Sequence, residues 1–192
     1  MELDRRLFEI LKYVNAYNDI QMAHGQFIML KGVNLEIEHG LDGDEQFKRM
    51  DIRDAFQTAA VVYYSRPFIG NRPFGAITSN FETLKKSGYK HIHEAILNVR
   101  SNAEAHSNLW MRTISIIEFN GENIKPDEPF ESFAIRKSVM VMPGEDDEVI
   151  NMCKELYEEI LGKIVGLTYL EDGGRVTYAD VMRRQKELLE LQ

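Results

Sequence analysis

The chain has 192 residues, of which 44% are apolar and 28% are charged. This length and composition indicate one globular domain with its own core and exclude an intrinsically disordered chain. The net charge of −8 repels nucleic acid at long range, so only a local basic cleft would support nucleic-acid binding.

Cysteine usage and the absence of apolar runs indicate a cytoplasmic protein. Cys153 is the only cysteine, so an intramolecular disulfide is excluded. We expect it to be a small buried apolar side chain on a helix. The charged first residues have no apolar segment behind them, which argues against a signal peptide. The sequence has no stretch of about 18 apolar residues, so no membrane span is predicted.

The first predicted element is a long helix. Apolar residues recur at steps of three and four over Leu3–Leu30, which is typical of a helix with one buried face. The helix either continues or restarts near Asn18, Gly25 weakens its middle, and Gly32 is the expected stop. Gly40 to Glu45 is predicted to be an exposed turn.

Asp51–Tyr64 is the clearest predicted core helix. It should end at Arg66-Pro67, because the residue before a proline avoids the helical region. Its predicted buried stripe comprises Ile52, Ala55, Phe56, Ala59, Ala60, Tyr63 and Tyr64.

Two further helices are predicted before the pattern changes. Ser79 should cap a short helix that ends at Lys86, and Gly88 should break the chain. The next helix should run from about Lys90 to Ala105. Its buried stripe should comprise Ile92, Ala95, Ile96, Val99 and Ala103.

Met111–Phe119 is rich in Ile and Thr, and Phe133–Met142 is rich in Val, Ile and Met, which predicts a β-hairpin over about 111–142. A helix opened by Asp146 and Asp147 should follow. It buries Val149, Met152, Cys153, Leu156, Ile160 and Ile164.

A charged helix over about 177–191 should be peripheral or face a partner. The chain is thus predicted to be a single, mainly α domain over 1–192. Its fold would be a helical bundle with a small β-hairpin inserted before the last long helix.

The segment from Asn98 to Asn108 is the one stretch that suggests chemistry. The guanidinium of Arg100 could hold a phosphate through two parallel hydrogen bonds. His106 could take a proton from a 2′-hydroxyl or give one to the leaving oxygen. Asn102 could orient the imidazole or bind the phosphate. Together these residues suit RNA cleavage without a metal.

A helical projection separates the two main residues of this segment. At about 100° per residue, Arg100 and His106 lie roughly 120° apart, and Arg100 shares a flank with His93. Arg100 and His106 would converge if the helix ended near Ala105. They would also converge if a second copy of the segment faced the first in a symmetric dimer.

An arginine followed by five residues and a histidine, at a helix end in a small bundle, resembles the HEPN superfamily. Ala105-His106-Ser107 and the upstream Tyr64–Phe68 segment are also similar to sequences of its bacterial members, and the resemblance covers roughly Asp51 to Asn108. It implies a helical core that dimerises through the motif helices. It also implies a metal-independent ribonuclease, often a toxin or defence component, or else an inactive binding or scaffold domain.

Six side chains have expected roles in such a site. The expected catalytic residues are Arg100, His106 and Asn102, and the expected substrate-binding residues are Arg66, His93 and Ser107. Neither a cofactor nor a metal is expected, because residues two apart in a helix, such as His91 and His93, point to different sides. The expected partners are a second copy, RNA or a nucleotide, and an antitoxin-like protein.

Two alternative functions remain open at this stage, and so does the role of Arg66. The position after Arg100, where the family favours Asn, Asp or His, is Ser101. This difference and the acidic charge favour a non-catalytic protein- or nucleotide-binding regulator of the same fold. In a purely structural interpretation, Arg100 pairs with Glu104 on a solvated helix face, and His106 is only a helix end. Arg66 either pairs with a carboxylate or lies beside His106.

Overall fold

The computed structural model describes residues 2–70, 74–105, 112–118, 133–139, 146–170 and 173–190. For 101–105 and for both strands it describes the backbone. Six helices lie within these residues: α1 Glu2–Glu38, α2 Gly43–Ile69, α3 Glu82–Lys85, α4 Tyr89–Ala105, α5 Asp146–Thr168 and α6 Tyr178–Glu190. The predicted class, a mainly α helical bundle, is confirmed.

The core lies where α1 packs along α2 and α5, with α4 and α3 closing the other side. The predicted stripe of α4 is buried at Ile92, Ile96 and Val99. The predicted stripe of α5 is buried at Val149, Met152, Cys153, Leu156 and Ile160. Cys153 is fully buried in this core, and burial raises the pKa of its thiol. Its predicted role as a small apolar side chain is therefore confirmed.

The first helix does not stop at Gly32, so that prediction was wrong. α1 runs on to Glu38 because Val33, only 6% exposed, continues the buried stripe beyond the glycine. The chain instead leaves the helix at Gly40, whose φ of 83° is a backbone conformation that glycine adopts without strain. Tertiary packing thus outweighs the low helix propensity of a single glycine.

The second helix is longer than predicted at both ends. It begins at Gly43 and passes through Pro67 to end at Ile69. The proline costs the helix one hydrogen bond, because it has no N–H to donate to the carbonyl of Tyr63. Its ring is buried and its own carbonyl accepts a hydrogen bond of 2.7 Å from Ile77 N, which offsets this cost. Gly70, with φ of 108°, ends the helix.

The buried face of α2 also differs from the predicted stripe. Ile52 is 38% exposed, and Ala55 is exposed as well. The side chains that α2 buries are Gln57, Ala60, Val61, Tyr64, Ser65 and Pro67. The predicted stripe was therefore rotated, because alanines and aromatic residues occur on both sides of this helix.

Ser79 does not cap α3, contrary to prediction. α3 begins at Glu82, after Phe81. The carboxylate of Glu159 on α5 instead accepts hydrogen bonds of 2.9 Å from the backbone N–H groups of Glu82 and Thr83. Burial alone would raise the pKa of this carboxyl, but these two N–H donors, with the Thr83 hydroxyl and Lys163, lower it.

Two strands, β1 Arg112–Glu118 and β2 Phe133–Val139, pair antiparallel with Arg112 opposite Val139 and Glu118 opposite Phe133. The predicted connection between them lies outside the described residues.

Near the C-terminus, Thr177 and Asp180 form reciprocal hydrogen bonds at the start of α6, as in a capping box. No described helix combines the length and apolarity needed to cross a bilayer.

Candidate functional site

Arg100 lies on the flank of α4 that faces α2. Its Nη1 donates to the carbonyl oxygen of Val62 at 3.5 Å, and the side chain is partly buried. His93, seven residues earlier, also contacts α2, through Tyr64. The predicted shared flank of Arg100 and His93 is therefore confirmed.

Arg66 lies on α2, one turn after Val62. Its guanidinium is 3.6 Å from the carboxylate of Asp19 on α1 and stacks over the ring of Tyr63, with 4.9 Å between Cζ and the ring centroid. The predicted pairing of Arg66 with a carboxylate is thus confirmed. Its side chain remains 43% exposed, whereas that of Asp19 is only 15% exposed.

The two arginines meet the same turn of α2. Arg100 approaches the carbonyl oxygen of Val62, and Arg66 is the residue four positions later, whose backbone lies directly above that oxygen in a helix. The charge of Arg66 is offset by its pairing with Asp19 of α1, whereas Arg100 donates to the backbone of α2.

His93 was expected to bind substrate, but the structure places it in the core. The residue is 5% exposed, and its Nδ1 lies 2.8 Å from the Tyr64 hydroxyl and its Nε2 3.3 Å from Ser79 Oγ. Phe68 packs edge-on against the ring, with 4.6 Å between centroids. Either neutral tautomer satisfies both ring nitrogens. Direct contact with a substrate would require this core to open.

Burial of His93 should make the protein less stable in mild acid. Burial lowers the pKa of His93 to about 4, and the carboxylate of Glu94 opposes this only weakly. Between pH 6.5 and 4 the unfolded chain therefore binds more protons than the folded one. The stabilisation is complete above pH 6.5 and is lost as the pH falls towards 4.

Urea unfolding at pH 7.5 and 5.0 tests this expectation. The wild type should lose about 1–2 kcal/mol more than His93→Gln over this interval. His91→Gln is the matched control, because His91 is exposed on the same helix and the variant should behave like the wild type. An equal loss in the wild type and His93→Gln would contradict the assignment of a neutral buried ring.

The remaining predicted site residues are only partly described. Asn102 lies on α4, where the structure describes the backbone alone, as it does for Glu104. His106 and Ser107 lie outside the described residues. The convergence of Arg100 and His106, and the alternative pairing of Arg100 with Glu104, therefore stay predictions.

Within the described part of the chain, no three His, Cys, Asp or Glu side chains come together in a group that could hold a metal. His91 and His93 point apart, one exposed and one buried, as the helix period requires.

The sequence did not reveal the polar cluster formed by Tyr64, His93 and Ser79. Tyr64 was assigned to an apolar stripe, although its hydroxyl also lies 3.8 Å from Met152 Sδ. Burial raises the pKa of Tyr64 well above its usual value, and the nearby Cys153 adds a smaller effect in the same direction. A histidine at the edge of a buried stripe was the available signal, since such a residue needs a polar partner.

Comparison with protein-family models, with curated proteins and with solved structures found no match.

Proposed function

We propose that this chain is a HEPN-like domain that binds RNA through Arg100 and cleaves it without a metal. In this proposal it acts in the cytoplasm as a homodimer formed by the motif helices, in a toxin or defence system. The observation that carries the proposal is the position of Arg100 on the α2-facing flank of α4, at the turn of α2 that bears Arg66. The guanidinium of Arg100 can hold a phosphate through two parallel N–H groups.

The proposed chemistry needs one guanidinium and two imidazoles, one neutral and one protonated, which the two copies supply. Arg100 donates N–H groups to the phosphate oxygens, where negative charge builds up in the transition state. His106 removes the proton of the 2′-hydroxyl, whose oxygen then bonds to phosphorus while the bond to the 5′-oxygen breaks. The departing oxygen takes a proton from His106 of the second copy. The products are a 2′,3′-cyclic phosphate and a 5′-hydroxyl end.

The test is cleavage of a labelled RNA in EDTA by the purified protein. We expect the RNA to be cut to cyclic-phosphate ends, while DNA of the same sequence and 2′-O-methyl RNA stay intact because they lack the attacking hydroxyl. His106→Ala should lower the rate by about 10²–10⁴-fold, the usual contribution of a general acid or base. Intact RNA with the wild type, or equal cutting by His106→Ala, would refute the proposal.

A second function has an observation in its favour. The net charge is −8, and Arg66 is already paired with Asp19, which suits a regulator that binds a protein or a single nucleotide rather than a long RNA. This alternative predicts an intact RNA substrate in the same assay. It also predicts saturable nucleotide binding that Arg100→Ala weakens.

A further inference from the structure

The outward face of α1 over residues 22–35 is unusually apolar for a surface helix. Met22, Ile28, Met29 and Leu35 are 47%, 47%, 53% and 45% exposed. At 100° per residue they share an arc of about 140° with the exposed Gly25 and Gly32, on the side opposite the buried stripe. We name these six residues the α1 outer face.

Packing within the chain does not account for the two glycines of this face. A Cβ atom built on Gly25 or Gly32 would meet no other atom within 4 Å. Each glycine nevertheless costs about 1 kcal/mol relative to alanine in a helix interior. A second helix that approaches closely would account for both, because glycine lets two backbones come near each other.

The α1 outer face is complementary to itself when two helices lie antiparallel. With a two-fold axis midway between residues 28 and 29, Ile28 faces Met29 of the second copy. Gly25 then faces Gly32, and Met22 faces Leu35. This is the pattern of an isologous interface, in which each contact occurs twice. The glycines therefore lie opposite one another, where close approach needs them.

Charge also favours a second copy as the occupant. The chain has 31 acidic residues, yet residues 22–35 contain none. The flanking Gln21 would face Glu36 of the second copy, whose carboxylate is paired with Arg49 of its own chain, so no like charges oppose at this position. An acidic chain can thus meet its own copy along this face with little repulsion.

We propose that two copies associate antiparallel and symmetrically through the α1 outer face, in a contact separate from the motif-helix contact of the proposed function. Met22, Ile28, Met29 and Leu35 are each about half exposed, so the contact is a small one, at or below the lower end of the range for specific interfaces, which suits a dimer of micromolar affinity. α1 packs on α2, α5 and α6, whereas α4 packs on α2, α3 and α5. The proposed dimer therefore does not depend on any contact between motif helices.

Sedimentation velocity at roughly 100 µM protein, where a micromolar dimer is populated, tests the proposal. Gly25→Leu combined with Gly32→Leu should halve the mass of the assembly. The same variant should keep or raise the melting temperature, because each leucine has room and a better helix propensity. Gly162→Leu with Gly166→Leu on α5 is the matched control, since those glycines are equally open, and its mass should not change.

A charge exchange provides a second, independent test. Met29→Lys and Ile28→Glu should each halve the mass, because each buries one charge against an apolar side chain of the other copy. The double variant should restore the original mass, since the introduced ammonium and carboxylate face each other across the axis. Met182→Lys, on an exposed methionine of α6, should have no effect. A monomeric wild type, or a double variant as dissociated as the single ones, would overturn the proposal.

Discussion

Replacing Arg100 with alanine is expected to lower RNA cleavage by about 10²–10³-fold, the usual cost of removing one donor that stabilises transition-state charge. Arg100→Lys should recover only part of this loss, because an ammonium keeps the charge but not the two parallel N–H groups. The measurement is the single-turnover cleavage rate in EDTA, with circular dichroism to confirm the fold.

Arg184→Ala is the matched control for this substitution. Arg184 is a partly buried arginine on α6, which packs against α1, and its Nη1 lies 2.9 Å from Glu187. Its removal costs one surface ion pair and should leave the cleavage rate within a factor of two. Equal rates for Arg100→Ala and Arg184→Ala would exclude Arg100 from the reaction, whatever the role of His106.

Replacing Tyr64 with alanine is expected to lower the free energy of unfolding by about 3–5 kcal/mol, a large part of the stability of a domain of this size. Tyr64 is fully buried and packs against Phe68 and His93, so the truncation leaves a cavity that rigid neighbours cannot fill. Urea unfolding monitored by circular dichroism at pH 7.5 measures the loss.

Tyr64→Phe separates the hydroxyl from the ring. It leaves the volume almost unchanged but removes the hydrogen bond between Tyr64 and His93 Nδ1, which should cost about 1–3 kcal/mol at a buried site. Tyr63→Phe, at the adjacent half-buried position, should change stability by less than about 0.5 kcal/mol. If Tyr64→Phe were as stable as the wild type, the buried hydrogen bond would make no net contribution to the free energy of unfolding.

Local periodicity was sufficient to predict α4 and α5, whose apolar residues recur on one face only. It failed where residues distant in the sequence determine where a helix begins or ends. Gly32 and Pro67 are typical of helix ends, but both helices continue beyond them because residues at or next to these positions are buried in the core. Ser79 looks like a cap, but the group that caps α3 is the carboxylate of Glu159, far along the chain.

The site was predictable to a similar degree. The helical projection places Arg100 and His93 on one flank, and both do contact α2. The projection cannot say which helix lies across that flank or how deeply each residue is covered. The burial of His93 and the pairing of Arg66 with Asp19 are contacts between separate helices, so the sequence pattern of one helix could not specify them.

The capping of α3 by Glu159 has a consequence for how the molecule opens. A four-residue helix has almost no stability of its own, and its first two amide groups are bonded to a side chain of α5. Solvent can exchange those two protons readily only after their bonds to the Glu159 carboxylate have broken. The amides of Glu82 and Thr83 therefore report, in hydrogen exchange, how often the contact between α3 and α5 opens.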